Sequence, residues 1–291
     1  MACVMFWTPA MAELCIEDLS VCFATPAGPV EVVKSLSLRM GSERVGIVGE
    51  SGSGKSMTAR AILGLIRKPG SVTARTISFD GIDLLRQNTS SWRAIRGSRI
   101  GMILQDPKFS LNPVVRVGKQ IAETGLLHAI FKRSQARQRV LEMLETVGID
   151  DPERVFDAYP HQLSGGIGQR VMIAAMMIAS PSLLIADEPT SALDVMVRGQ
   201  VLETMDREIR KRGMGLLMIS HDLNMVASFC DRVIVMYRGE VVDACAAKDL
   251  FVSTHPYTRG LLNCLPKGNR PGERLPTIDR LRVDQSAPPH G

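Results

Sequence analysis

Residues 49–56 read Gly-Glu-Ser-Gly-Ser-Gly-Lys-Ser, a full G-x-x-x-x-G-K-[ST] pattern. Such a run can hold a polyphosphate. Glycines let the backbone curl until successive N–H groups converge on the anion, a lysine reaches the terminal phosphates, and a serine hydroxyl can ligate Mg²⁺. The candidate nucleotide contacts are therefore Gly49, Glu50, Ser51, Gly52, Ser53, Gly54, Lys55, Ser56 and the following Met57. Ser56 doubles as a candidate metal ligand. The pattern gains force from its flanks. Arg44–Val48 is apolar and β-prone, and Met57–Ile66 has helical spacing, so a strand delivers the loop and a helix leaves it.

A second chemical element is Leu183-Leu184-Ile185-Ala186-Asp187-Glu188, an apolar strand ending in two carboxylates. The carboxyl ends of strands in α/β sheets face the ligand crevice. Asp187 is placed to support Mg²⁺, which keeps its waters and takes few carboxylates. Glu188 is placed to orient and deprotonate an attacking water. A third element is Leu163-Ser164-Gly165-Gly166-Ile167-Gly168-Gln169. Its glycines could bring backbone N–H groups to an anion at the positive end of a helix. The same residues equally fit an ordinary helix start, with Ser164 as N-cap and the glycines merely turning the chain.

These groups need a scaffold, and hydrophobic periodicity supplies one. Leu14–Phe23 and Val30–Met40 alternate as strands around a Pro/Gly turn at Pro26–Pro29. Thr76–Phe79 followed by Asp80-Gly81 reads as a strand and turn. Residues 116–162 read mainly as helix, with Val140, Leu141, Leu144 and Val147 on one face. From about 163 the pattern runs helix (Gln169–Ala179), strand (Leu183–Ala186), helix (Val195–Arg212), strand (Leu216–Ile219), helix (Leu223–Phe229) and strand (Val233–Met236). That alternation implies an α/β fold with a largely parallel sheet covered by helices. From about Pro266 the chain turns rich in Pro, Gly and Arg and reads as an extended tail.

Composition sets outer bounds. A 291-residue chain with 45% hydrophobic and 22% charged residues can bury a sizeable core. A net charge of +5 suits nucleotides, an anionic membrane surface or nucleic acid without choosing among them. The runs Lys132-Arg133 and Arg210-Lys211-Arg212 sit in helical stretches and read as solvated faces. None of the six cysteines forms a C-x-x-C pair, so zinc or iron–sulfur ligation is not expected, and scattered cysteines suggest a reducing cytosol. No run of about 20 apolar residues is present to span a membrane. Met11 looks like a natural beginning, with the preceding residues as an added extension.

The order of these elements resembles the nucleotide-binding subunit of ATP-binding cassette (ABC) transporters over about residues 12–265. The matching runs are Gly49–Ser56 (Walker A), Gln105 in Ile-Leu-Gln-Asp-Pro (Q-loop), Leu163–Gln169 (signature), Leu183–Glu188 (Walker B), Ser191-Ala192-Leu193-Asp194 (D-loop) and His221 in Ile-Ser-His-Asp (switch histidine). The resemblance implies a P-loop NTPase fold with a mainly parallel core, an N-terminal antiparallel β part and a helical signature subdomain at about 106–165. It implies an ATPase domain over 12–250, a disordered extension at 1–11, and a C-terminal helix and extended tail over 251–291. It implies ATP and Mg²⁺ as ligands. Phe23 matches the aromatic that stacks on adenine, with a plain strand-core role as its alternative. Ser56, Gln105 and Asp187 match the groups that support the metal and the water. Glu188 matches the general base, and His221 the residue that senses the γ-phosphate, where a lone histidine would otherwise read as a cap. Ser164, Gly165 and Gly166 match the signature residues that contact the γ-phosphate bound by the other subunit, and Gln169 and Asp194 are further candidate nucleotide contacts in the matching runs. Ile167-Gly168 departs from the Met-Arg pair usual in peptide-importer relatives, and Gly168 should weaken the helix start by about 1 kcal/mol.

Two further runs narrow the branch. Gln105-Asp106-Pro107-Lys108-Phe109-Ser110-Leu111-Asn112-Pro113 and His255-Pro256-Tyr257-Thr258-Arg259-Gly260-Leu261-Leu262 resemble elements of the ATPases that serve dipeptide, oligopeptide and nickel importers. The resemblance implies a second ATPase subunit, identical or homologous, two transmembrane permeases, an extracytoplasmic solute-binding protein, and no nucleic acid. It places the chain peripherally on the cytoplasmic face of the bacterial inner membrane, importing peptides, with nickel as the alternative cargo. A soluble, non-transport ABC ATPase is the competing class. Its DNA-repair relatives need long coiled-coil insertions and its translation-factor relatives two cassettes, and neither feature is in this sequence.

Overall fold

The computed structural model describes residues 13–105, 110–191, 193 and 195–265. The expected extension at 1–11, residues 106–109 of the Gln105–Pro113 run, Asp194 and the tail past 265 lie outside the described residues. In chain order the elements are β1 (Leu14–Thr25), β2 (Gly28–Met40), β3 (Arg44–Val48), α1 (Lys55–Ile62), β4 (Gly70–Thr73), β5 (Thr76–Phe79), β6 (Ile82–Asp83) and α2 (Thr89–Ile95). They continue with β7 (Ile100–Ile103), α3 (Val117–Leu127), α4 (Ala136–Thr146), α5 (Pro152–Asp157), α6 (Gly165–Met177) and β8 (Leu183–Asp187). The last are α7 (Val195–Arg212), β9 (Gly215–Ile219), α8 (Leu223–Phe229), β10 (Arg232–Tyr237), β11 (Glu240–Ala246) and α9 (Pro256–Asn263).

The chain divides into two compact units, each assembled from several segments. Within the described residues one unit takes 13–17, 37–42 and 74–216. In it the start of β1 pairs antiparallel with β5, Leu14 opposite Phe79 and Ile16 opposite Ile77. The β5–β6 hairpin turns at Asp80 and Gly81, both at positive φ, as a type I′ hairpin turn requires. β7 and β8 run parallel, Ile100 opposite Leu183 and Ile103 opposite Ala186, and every residue of β8 is buried. A strand enclosed on both faces carries a continuous apolar run, which is why Leu183–Ala186 does not alternate. The helices α3, α4, α5 and α6 pack on one another. Val117, Ile121, Val140, Leu144, Val155 and Val171 are all fully buried between them. Asp151 caps α5, with Pro152 at its first position.

The other unit takes 18–36, 43–73 and 217–265 of the described residues. There β3 and β10 run parallel, Val45 opposite Arg232 and Val48 opposite Val235, and β10 turns back into antiparallel β11. Val45, Ile47, Val48, Val233 and Val235 form its buried centre. Two ion pairs clamp the start of this ladder. Arg44 donates to Asp231 at 2.7 Å and Arg232 to Glu43 at 2.7 Å. The later part of β1 pairs antiparallel with β4, Ser20 opposite Thr73 and Phe23 opposite Gly70. Asp222 caps α8 by accepting from the Met225 N–H at 3.0 Å.

Periodicity placed the long elements and misplaced several ends. α1 covers Lys55–Ile62 where spacing suggested Met57–Ile66, because the helix starts as soon as the loop closes. Gly64, at φ 60, then turns the chain out of it. α6 starts four residues before Gln169, at its cap. β4, β7, β11 and α2 escaped the sequence reading because each is short or borders on turn-forming residues.

Candidate functional site

The phosphate-loop candidates form a closed turn between β3 and α1. Gly54 sits at φ 100 as the N-cap of α1 and offers no side chain to the first helical N–H groups. The first N–H groups of an α-helix point out of its end, which makes a helix start a natural anion seat. A Cβ on Gly54 would lie 2.4 Å from the Val32 carbonyl oxygen, and one on Gly49 would lie 2.1 Å from that of Met236. Backbone crowding at both ends of the run therefore demands glycine. Lys55 is 7% exposed, and its ammonium donates to Gly49 O at 2.8 Å, Glu50 O at 2.7 Å and Ser53 Oγ at 3.3 Å. Carbonyl oxygens hold this buried cation where phosphate oxygens could replace them. The Ser53 N–H closes the turn on Glu50 O at 3.2 Å. Ser51 and Gly52 are exposed, and Ser56 and Met57 are half-buried.

Two other candidates belong to the same unit. Phe23 is half-buried, its ring against Gly70, where an added Cβ would lie 2.7 Å from the ring. His221 is exposed just past β9, between Ser220 and the α8 cap Asp222. The Asp222 N–H donates to Ser220 Oγ at 3.0 Å, which fixes the turn carrying the imidazole.

The carboxylates and the signature run belong to the other unit. Asp187 ends β8 at 5% exposure. Glu188 follows at φ 50, a left-handed backbone that is strained for a residue with a Cβ. Ser191 stabilises that turn through its N–H and hydroxyl, which donate to Glu188 O at 3.2 and 3.1 Å. Gln105 Nε2 donates to Glu188 Oε2 at 3.1 Å, so these two catalytic candidates meet directly. Ser164 caps α6, accepting from the Ile167 N–H at 3.4 Å, and both Ser164 and Gly165 are exposed. The N-cap role is thus real, and it leaves the glycine edge on the surface. Gly168 is buried and its N–H donates to Ser164 O at 2.9 Å, so the departure at this position leaves the first turn closed. Gln169 is fully buried, and its side-chain amide donates to Pro189 O in the turn that carries Glu188. The side chains of Ser56, Gln105 and Asp187 each offer a hard oxygen, the donor type that Mg²⁺ takes.

Sequence reasoning gave Tyr257 only the role of a branch marker. Its hydroxyl accepts the Glu50 N–H at 3.2 Å, inside the phosphate loop. The signal was present in the H-P-Y-T run, but nothing in spacing could link position 257 to position 50. Burial and then the Glu50 carboxylate push the Cys264 thiol above its ordinary value.

A profile of the ABC transporter family matches residues 33–191. The dipeptide transport ATP-binding protein DppD of Haemophilus influenzae is 45% identical over 270 residues, covering 92% of this chain and 82% of that one. The oligopeptide transport ATP-binding protein OppD of Bacillus subtilis is 42% identical over 280 residues, covering 95% and 78%. Among solved structures, the dimeric structure of MJ0796, a bacterial ABC transporter cassette, is similar with a TM-score of 0.72 at 27% identity, covering 81% of this chain and 99% of that one. A post-hydrolysis state of that cassette, bound to ADP and Pi, gives a TM-score of 0.70 at 26% identity, covering 81% and 99%.

Proposed function

The chain belongs to the ABC transporter family and is an ATP-binding, ATP-hydrolysing subunit; on that premise we propose that it drives uptake of peptides through partner permeases. The observation that carries this reading is the 45% identity to a dipeptide transport ATPase across nearly the whole chain. The Gln105–Pro113 and His255–Leu262 runs support the same branch.

The roles follow from the chemistry of each residue. Lys55 exchanges the carbonyls of Gly49 and Glu50 for phosphate oxygens, and the amides of Gly52–Ser56 hold the anion. Phe23 stacks on the adenine ring. Glu188 takes a proton from the water that attacks the γ-phosphorus as the bond to the ADP oxygen breaks. Gln105, already bonded to Glu188, orients that carboxylate and the water. His221 contacts the γ-phosphate and registers its loss. Mg²⁺, when bound, neutralises phosphate charge, and Ser56, Gln105 and Asp187 are the groups that would hold it. Ser164, Gly165 and Gly166 at the start of α6, together with Gln169 and Asp194, serve the nucleotide of a second ATPase subunit. ATP then joins two subunits, and hydrolysis lets them part. Two permeases receive that motion, and an extracytoplasmic binding protein delivers cargo to them. Among the described residues no helix is long and apolar enough to cross a membrane. Similarity to importer ATPases supports a peripheral place for the chain at the cytoplasmic face of the inner membrane.

The test is uptake in cells lacking this chain. Entry of labelled di- and oligopeptides should be lost, and should return with the intact chain but not with a Glu188→Gln copy. Loss of nickel entry with peptide entry intact would overturn the peptide reading.

A further inference from the structure

We propose that Tyr257, in the C-terminal helix α9, is a positioning residue for the phosphate loop, keeping its first peptide in place when Lys55 leaves that peptide for nucleotide. The proposal rests on reading Gly49–Ser56 as the phosphate loop.

Tyr257 is 0% exposed, and its hydroxyl accepts the Glu50 N–H at 3.2 Å. The ring is held against Tyr237 at the end of β10, with centroids 4.4 Å apart and planes at 40°. The preceding residue, Met236, supplies the carbonyl that crowds Gly49. α9 is itself fixed. Thr258 Oγ1 donates to Asp243 Oδ2 at 2.7 Å, and Ser253 Oγ donates to the same oxygen at 2.6 Å, anchoring the helix to β11. The hydroxyl therefore reaches the loop from a rigid support.

The loop's own bonds show when that support matters. Glu50 O accepts from Lys55 Nζ and from the Ser53 N–H, and Gly49 O accepts from Lys55 Nζ. Both lysine bonds are given up once the ammonium turns to phosphate. What holds the Glu50 backbone then includes the Ser53 N–H on its carbonyl and the Tyr257 hydroxyl on its N–H. A phenol suits the position because it accepts a hydrogen bond without charge. A carboxylate there would hold back Lys55 and repel phosphate. The Tyr and Thr of the H-P-Y-T run thus gain separate tasks, one on the loop and one on the anchor.

The experiment compares the full chain with Tyr257→Phe, Thr258→Val and Lys55→Ala, reading ADP and ATP affinity, ATPase KM and kcat, and Tm. Tyr257→Phe keeps the ring packing and removes the hydroxyl. It should raise the nucleotide Kd and KM about fivefold, the order carried by one neutral hydrogen bond, and leave kcat within about twofold. Thr258→Val loosens the anchor and should lower Tm more than Tyr257→Phe while moving KM less. Unchanged affinity in Tyr257→Phe, while Lys55→Ala abolishes binding, would overturn the positioning role alone. Equal KM shifts in Tyr257→Phe and Thr258→Val would also overturn it, since helix stability would then explain both. Wild-type affinity in Lys55→Ala would overturn the phosphate-loop reading and the proposal together.

Discussion

The phosphate loop and the signature turn are both glycine-rich entries to helices, yet they are built in opposite ways. The loop before α1 is closed on itself. Gly54 caps the helix without a side chain, backbone carbonyls crowd Gly49 and Gly54, and a buried Lys55 fills the bend. The turn before α6 is open. A serine caps the helix, and Ser164 and Gly165 face solvent. A helix start whose N–H groups find no side-chain cap is prepared for an anion from its own chain's surroundings. A capped, exposed start is prepared to present its edge to something outside. That difference is what the proposed site, shared by two subunits, calls for.

The largest effect expected falls on the open side's catalytic neighbour. Glu188→Gln should cut turnover by a factor on the order of 10²–10⁴ while ATP still binds, and light scattering should detect an ATP-bound dimer. Hydrolysis at the wild-type rate would remove the general-base assignment. Next comes Gly54→Ala, which tests whether the closed loop is truly intolerant. A Cβ 2.4 Å from the Val32 carbonyl at φ 100 should cost about 2–3 kcal/mol in urea unfolding and abolish nucleotide binding. A stable, nucleotide-binding variant would mean that the crowding relaxes easily. The smallest effect is on stability at Ser164. Ser164→Ala removes the cap at a cost of about 1 kcal/mol. Its informative readout is the mixed dimer with the substitution in one chain: hydrolysis should fail at the other chain's phosphate loop. Failure at the loop of the substituted chain itself would erase the contrast drawn above.

Much of the site was legible because its chemistry is written in contiguous runs. Gly49–Ser56 announces its loop through residue types that any phosphate cradle needs, and Leu183–Asp187 announces a buried strand by lacking alternation. Two things resisted. β7 has only four residues, too few for a period to emerge, and β11 shows no buried–exposed alternation to read. The ends of α1 and α6 were misjudged because caps and loop closure, set by backbone geometry at Gly54 and Ser164, decide where a helix begins.

By itself the sequence determined the fold class, the glycine-rich turn proposed to hold phosphate and the carboxylates at the end of a β-strand, since each depends on residue type and local spacing. Only the tertiary structure decided that Gln105 bonds Glu188, that Gln169 supports the Pro189 turn, and that Tyr257 reaches Glu50 across 207 positions of chain. Those pairings are set by packing, which brings distant segments within hydrogen-bond range, and no local pattern encodes which segments will meet.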